Sequence, residues 1–236
     1  MAVNVISLLV PTRQRRENFQ RFYDSAMSTA SKPGRVEVVA YIDNDDNSYD
    51  GYEMYNLTKV RGERVVLSEM WNECWKSAKG DIFGHMGDDI VFRTDGWDSA
   101  IEEAITARPG NICFAWCNDV SPESNRNEFG THGFVHRNWT DITNRFVPPY
   151  FASDYNDTWF NDVARALGVT TYLHNFVTEH MHYSLGKAEI DQNTKERLDR
   201  HAQTKPDQIY SSDEKRLERE EEIKRLREFI EKARNS

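Results

Sequence analysis

No apolar run in this 236-residue chain approaches the roughly 20 residues that a membrane-spanning helix needs. The short run near the start, Val3 to Val10, has no basic segment before it and reads as a strand rather than a signal peptide. Cysteine is scarce. Cys74, Cys113 and Cys117 cannot all pair and form no CxxC. That leaves no disulfide framework and points to a reduced, cytoplasmic setting. Cys113 and Cys117 flank Phe114 and Trp116 and are read as packing residues, not as part of a zinc site with His132. Basic residues are also in deficit, with a formal net charge of −9. A protein that grips DNA mainly through phosphates is usually basic, so tight nonspecific nucleic-acid binding is disfavoured. Neither GxGxxG nor GxxxxGK[ST] occurs, which excludes a typical dinucleotide fingerprint and a P-loop.

What is present is an ordinary globular composition, 38% hydrophobic and 29% charged, with strands and helices in alternation. Asn4–Val10 reads as a buried strand, followed by a helix over Arg13–Ala30 with Phe19, Phe22, Tyr23 and Ala26 on one face. Val36–Ile42 is a second strand and Val65–Leu67 a short third. Ser68–Ala78 is a helix with Ser68 as its N-cap, and Asp81–Met86 a fourth strand. A helix over Trp97–Arg108 and a strand over Ile112–Cys117 follow. Residues 118–150 are polar and expected to be looped or short-stranded. Asn156–Leu167 is a helix closed by Gly168, and Val169–Leu173 a further strand. This order implies an α/β fold with a mixed, mostly parallel sheet and helices on both faces.

Two units are expected: a catalytic domain over residues 1–188, then a polar connector and charged helix over 189–236. The helix, 213–234, carries acids and bases in equal number. Its seam of Ile223, Leu226, Ile230 and Ala233 suits packing on the domain or self-association equally.

The chemistry collects at strand ends. The first strand runs into Pro11, Thr12, Arg13 and Arg16; the second ends in Asp43; the fourth ends in Asp88 and Asp89. In a parallel sheet these ends share one edge, where ligands of open α/β sheets bind. Arginines at a helix start suit a diphosphate. Carboxylates at the end of a buried strand are costly unless paired or bound to a metal. Asp88 and Asp89 are neighbours, so their side chains are expected to diverge, with Asp89 as the metal ligand.

The ordered set resembles the GT-A (Rossmann-like) glycosyltransferases, in particular the family 2-like group. Pro11-Thr12-Arg13 with Arg16 is similar to that group's opening nucleotide motif, Ile42-Asp43 to its base-contacting acid, and Glu69-Met-Trp-Asn72 to its donor-side helix. Met86-Gly87-Asp88-Asp89 stands at its DxD motif, with Gly87 in place of the first aspartate. The short length and the GDDI…GWD form also resemble small phage-encoded members.

The resemblance implies sugar transfer from a nucleotide sugar, most simply a UDP-sugar, to an acceptor hydroxyl with inversion. It implies Mn²⁺ or Mg²⁺ held by Asp89 and His182, and donor contacts from Pro11, Thr12, Arg13, Arg16, Asp43, Asn72 and Asp88. Asp157, or alternatively Asp154, stands at the family's general base. His132 and Trp159 are acceptor-side candidates, and Trp139, Tyr150 and Phe151 are further aromatics that suit a sugar or a base. For a phage enzyme the compartment is the host cytoplasm and the acceptor a hydroxymethylated DNA base; a glycan is the rival acceptor. A noncatalytic nucleotide-sugar-binding module and a metal-dependent polymerase or hydrolase are the alternatives from other classes.

Overall fold

The computed structural model describes residues 5–122 and 128–235. Its first half holds β1 (Ile6–Thr12), α1 (Arg16–Thr29), β2 (Val36–Asp43), β3 (Leu57–Gly62), α2 (Leu67–Ser77), β4 (Ile82–His85), β5 (Ile90–Phe92) and α3 (Trp97–Thr106). Then come β6 (Phe114–Asn118), β7 (Gly133–His136), α4 (Arg137–Thr143), α5 (Asn156–Leu167) and β8 (Thr170–His180). Three helices close the chain: α6 (Gln192–Thr204), α7 (Pro206–Ser211) and α8 (Asp213–Arg234).

The eight described strands form one sheet in the order β3-β2-β1-β4-β7-β6-β8-β5. β1 lies between β2 and β4, parallel to both, and β3 extends that parallel block. β7 runs antiparallel to β4 and β6, while β8 is parallel to β6. Every residue of β2 is buried, because helices cover both faces and leave no solvent side to alternate with. Successive strand residues face opposite layers. Leu8, Val38, Cys113 and Cys117 join Phe19, Phe22, Trp97 and Ile101 of α1 and α3. Leu9, Val39, Phe83 and Phe114 join Trp71, Phe160, Leu226 and Ile230 of α2, α5 and α8. Thus two of the seam residues of the charged helix, Leu226 and Ile230, are buried in this domain's own core.

The structure corrects several sequence expectations: α1 begins at Arg16 rather than Arg13, residues 118–150 include the helix α4, and the polar connector contains α6 and α7. The third strand is Leu57–Gly62, not Val65–Leu67. It is the outer strand of its block and half-exposed, so Lys59 and Arg61 break its apolar pattern. Val65 and Val66 instead lead into α2, with Val66 at the N-cap position. Ser68 therefore lies inside the first turn, where its buried hydroxyl bonds the Phe151 carbonyl and Asn156 Oδ1, both at 2.8 Å. The first residue of the expected opening strand, Asn4, lies outside the described residues, as do positions 123–127 of the expected loop.

β8 is longer than expected and changes partner along its length. Phe114–Cys117 pair with Thr170–Leu173; a register shift follows, and Asn118 pairs with Val177. The second half then pairs antiparallel with β5, setting Ile90 opposite His180. That irregularity positions the site: it carries His180 to the acidic turn between β4 and β5, where Met181 N–H donates to the Asp89 carbonyl at 2.8 Å.

Candidate active site

Parallel pairing aligns Thr12 with Ile42 and Leu9 with His85, so the ends of β1, β2 and β4 open on one edge. A cavity of about 710 Å³ lies there, lined by residues of these ends, of the acidic turn and of α6. That volume is in the range of small-molecule sites.

Asp88 and Asp89 do diverge, although they sit in a turn rather than an extended strand. Asp88 points back into the sheet edge. It accepts from the Thr12 hydroxyl at 2.8 Å and faces Arg15 Nη1 at 3.4 Å. Burial raises its pKa, with the Arg15 charge opposing. Asp89 points the other way, its Oδ2 lying 3.5 Å from His180 Nε2. Burial alone would raise the Asp89 pKa too, but the hydrogen bond and charge of His180, with His132 and Arg15, lower it. Asp89 is thus held as the carboxylate.

Gly87 has a steric reason. A Cβ there would stand 2.7 Å from Asp89 Oδ1 and 3.7 Å from His132 Nε2. The space that a first aspartate of a DxD motif would take is filled by the carboxylate of Asp89 itself.

Four histidines line up behind this turn. His132 meets His180 edge-on with ring centroids 4.8 Å apart, and His182 lies 4.9 Å from His180. His85, whose pKa burial pushes down to about 3, stacks 6.4 Å from His132. Burial first, then His180, holds His132 well below its ordinary value, so its imidazole is neutral and free to ligate. Its Nδ1 is buried without a hydrogen-bond partner. Asp119, His132 and His180 offer ligand atoms all within 4.8 Å of one another. Adjacent ligands of a cation with bonds of about 2.1 Å lie roughly 3 Å apart, close to the Asp89–His180 separation. Asp119, His132 and His180 have the donor set for a divalent cation, and the Asp89 carboxylate stands beside His180 at the edge of that group. His182, the ligand expected from the sequence, also lines the cavity, but its Nδ1 is engaged by Ser184 Oγ at 2.7 Å. Cys113 and Cys117 instead bond Thr171 and Thr178 within the core.

On the other side of the acidic turn, Arg13 Nη1 donates to Asp43 Oδ2 at 2.9 Å, and Arg13 also pairs with Asp45. Asp43 Oδ1 is buried with no partner, and burial raises the pKa of this carboxyl. Pro11, Thr12, Arg13, Asp43 and Asp88 all line the cavity. Arg16 does not; its guanidinium lies over the Tyr52 ring at 4.6 Å. Nor does Asn72, whose amide is spent on the backbone of Phe146 and Val147.

The far wall comes from the start of α5. Asp157 Oδ1 accepts from the Thr158 N–H at 2.8 Å, and burial, reinforced by nearby Asp154, pushes the Asp157 pKa up to about 6. Asp154 is held between Arg197 at 2.8 Å and His201 at 2.5 Å. Trp159 lies in the core with its indole N–H on Glu222 at 3.1 Å; Trp139 and Phe151 are likewise buried. Tyr150 is half-buried with Lys215 Nζ 3.6 Å from its ring centroid.

The sequence pairs His180 with His182 as alternating ligand candidates and favours His182; it gives no indication of Arg15, Arg64, Asp191, Arg197 or Arg200 as site residues, yet all of these line the cavity. For His180 the signal was its alternation with His182. For the α6 residues there was none, because that segment lacks apolar anchors.

No protein-family model matches the chain, and no curated protein sequence matches it. Solved structures do. S. aureus TarS 1–349 in complex with UDP superposes with a TM-score of 0.61 at 16% identity, over 96% of this chain and 70% of that one. The mannosyltransferase PcManGT from Pyrobaculum calidifontis, in complex with GDP-Man and Mn²⁺, gives 0.58 at 12% identity, over 90% and 77%. A longer S. aureus TarS chain gives 0.60 at 14% identity, and there this chain spans 43% of its length. At such identities the likeness establishes the fold: the mixed, mostly parallel α/β architecture is shared with these proteins.

Proposed function

We propose that the protein is a metal-dependent glycosyltransferase that moves a sugar from a nucleotide diphosphate sugar to an acceptor hydroxyl. The observation that carries this reading is the meeting in one cavity of three chemistries. These are the Asp89–His180 pair, the unpartnered Asp43 oxygen beside Arg13, and Asp157 with its raised pKa. The fold neighbours solved with UDP and with GDP-Man and Mn²⁺ point the same way.

In this mechanism Asp43 Oδ1 accepts from the N–H edge of the base, which suits uracil, and Arg13 holds the Asp43 carboxylate in place. His180, with Asp89 on one side and His132 and Asp119 on the other, would hold the cation. A bound divalent cation supplies charge neutralisation to the departing diphosphate. Imidazole beside carboxylate favours Mn²⁺ over Mg²⁺, which prefers oxygen ligands. Asp88 braces the turn through Thr12 and Arg15. Asp157 takes the proton of the acceptor hydroxyl, and attack from its side of the cavity inverts the anomeric carbon. Asp154, already paired with Arg197 and His201, positions the wall around it. The favoured acceptor is a glycan or other small hydroxylated molecule, given the net charge of −9. Three buried free thiols suit a reducing, cytoplasmic compartment.

Incubation with UDP- and GDP-sugars and Mn²⁺, with glycan and hydroxymethylated-DNA arms, tests the proposal through diphosphate release. Asp157→Asn is expected to lower turnover by about 10²–10⁴-fold while donor binding is retained. Donor binding without turnover in the wild type under every acceptor supports a binding module instead. No release and no donor binding at all overturns the reading.

A further inference from the structure

α6 lies against the cavity, yet Thr194 is its one buried residue among those described. Leu198, its apolar candidate, is 40% exposed. The helix is held by polar tethers, and each ends on a residue that lines the cavity. Asp191 pairs with Arg15, Asn193 bonds the Arg13 carbonyl, Glu196 pairs with Arg64, and Arg197 pairs with Asp154. Tethers of this kind contribute little when solvent reaches them. A competing ligand can therefore replace them.

The Arg15–Asp191 tether differs from the rest in geometry. Arg15 Nε and Nη2 each donate to a different oxygen of Asp191, both at 2.6 Å, and Nη2 also reaches Thr194 Oγ1 at 2.9 Å. A guanidinium fork binds a carboxylate and a phosphate in the same way. The remaining nitrogen, Nη1, faces Asp88 at 3.4 Å, so this fork sits beside the acidic turn that ends in the cation ligand Asp89. The Asp191 side chain is 42% exposed against 21% for Arg15: the anion is on the solvent side and the cation is fixed. The same cavity is lined by Arg64, Arg197 and Arg200. Burial first, and then the charge of Arg64, lower the Arg200 pKa, while Glu196 and Asp43 oppose the shift.

We propose that Arg15 is the seat of the donor's diphosphate. In the free protein Asp191 occupies its fork as an internal stand-in for phosphate, and diphosphate binding displaces Asp191 and releases the first turn of α6. This deepens the donor-site reading above and rests on it. The consequence has a definite sign. A ligand that must displace Asp191 binds less tightly than it would to an open fork. Removing the Asp191 charge therefore strengthens diphosphate binding, whereas a merely structural ion pair would leave it unchanged or weaken it.

The test is calorimetric titration of UDP and of inorganic pyrophosphate, with Mn²⁺ present, into wild type, Asp191→Asn and Arg15→Lys. Asparagine keeps an acceptor for the Thr194 N–H, so α6 retains its cap. Lysine keeps the charge at position 15 but not the fork. The expected result is about tenfold tighter binding of both probes by Asp191→Asn, and about tenfold weaker binding by Arg15→Lys. Thermal melting confirms that both variants fold. Wild-type affinity or weaker in Asp191→Asn, with UDP still bound by the wild type, overturns the exchange and leaves the donor pocket standing. No binding of either probe by wild type or Asp191→Asn overturns the diphosphate reading of the cavity together with this assignment.

Discussion

A methyl group decides the acidic turn. Because a Cβ at position 87 would press on Asp89 Oδ1, Gly87→Ala is expected to turn the carboxylate away from His180. Manganese titration should show affinity at least tenfold lower, on the order of 1.4 kcal/mol or more, with the melting temperature little changed. Asp157 carries the pH dependence. Its carboxyl titrates near 6 in the folded chain against 3.8 ordinarily. In the proposed role of general base it must be ionised, so kcat/KM should be level above about pH 7 and fall tenfold per unit well below 6. The folded state prefers the protonated form, so the burial penalty is absent below about pH 4 and complete above about pH 7. Asp157→Asn is therefore expected to raise stability at pH 7.5 by at most about 3 kcal/mol and to leave it unchanged near pH 4. Denaturant unfolding at the two pH values measures this; a gain equal at both contradicts the raised pKa.

At this scale the sequence was legible where strand ends carry charge, as with Asp43, Asp88 and Asp89. It was less so among Arg13, Arg15 and Arg16. Arg13 and Arg15 lie in the non-helical link between β1 and α1, which begins at Arg16, and no periodicity in the run states which of them faces the cavity. Arg13 and Arg15 do, and Arg16 turns to Tyr52.

Among the elements, α5 and α8 coincide with their expected bounds, Asn156–Leu167 and 213–234, because helical periodicity and a closing Gly168 mark them. β3 was missed because a half-exposed strand with Lys59 and Arg61 lacks the apolar run of the inner ones. α6 was missed because polar contacts, not an apolar stripe, hold it, and such contacts leave no period in the sequence. The bulge-like shift in β8 was equally silent, since it depends on which strands flank it. α8 is structural as well as charged. Leu226 is fully buried, and Glu222 is enclosed beside Arg145 at 2.8 Å and the Trp159 indole. Leu226→Ala should destabilise the protein by about 2–5 kcal/mol in urea unfolding. An unchanged midpoint would mean that α8 is not anchored in the core.

Across the whole molecule, the sheet separates two jobs. Its two faces carry the apolar layers, and its polar edge is left to the ends of β1, β2 and β4, the acidic turn and the end of β8. Alternation of strands and helices predicted that separation, but not that His180 would be brought across the sheet to Asp89. Titration of UDP with and without Mn²⁺, into wild type and Asp89→Asn, tests that convergence most directly. The expected result is at least tenfold tighter UDP binding with Mn²⁺ in wild type and no manganese effect in Asp89→Asn. UDP affinity indifferent to Mn²⁺ in wild type, or a manganese effect that survives in Asp89→Asn, would contradict it.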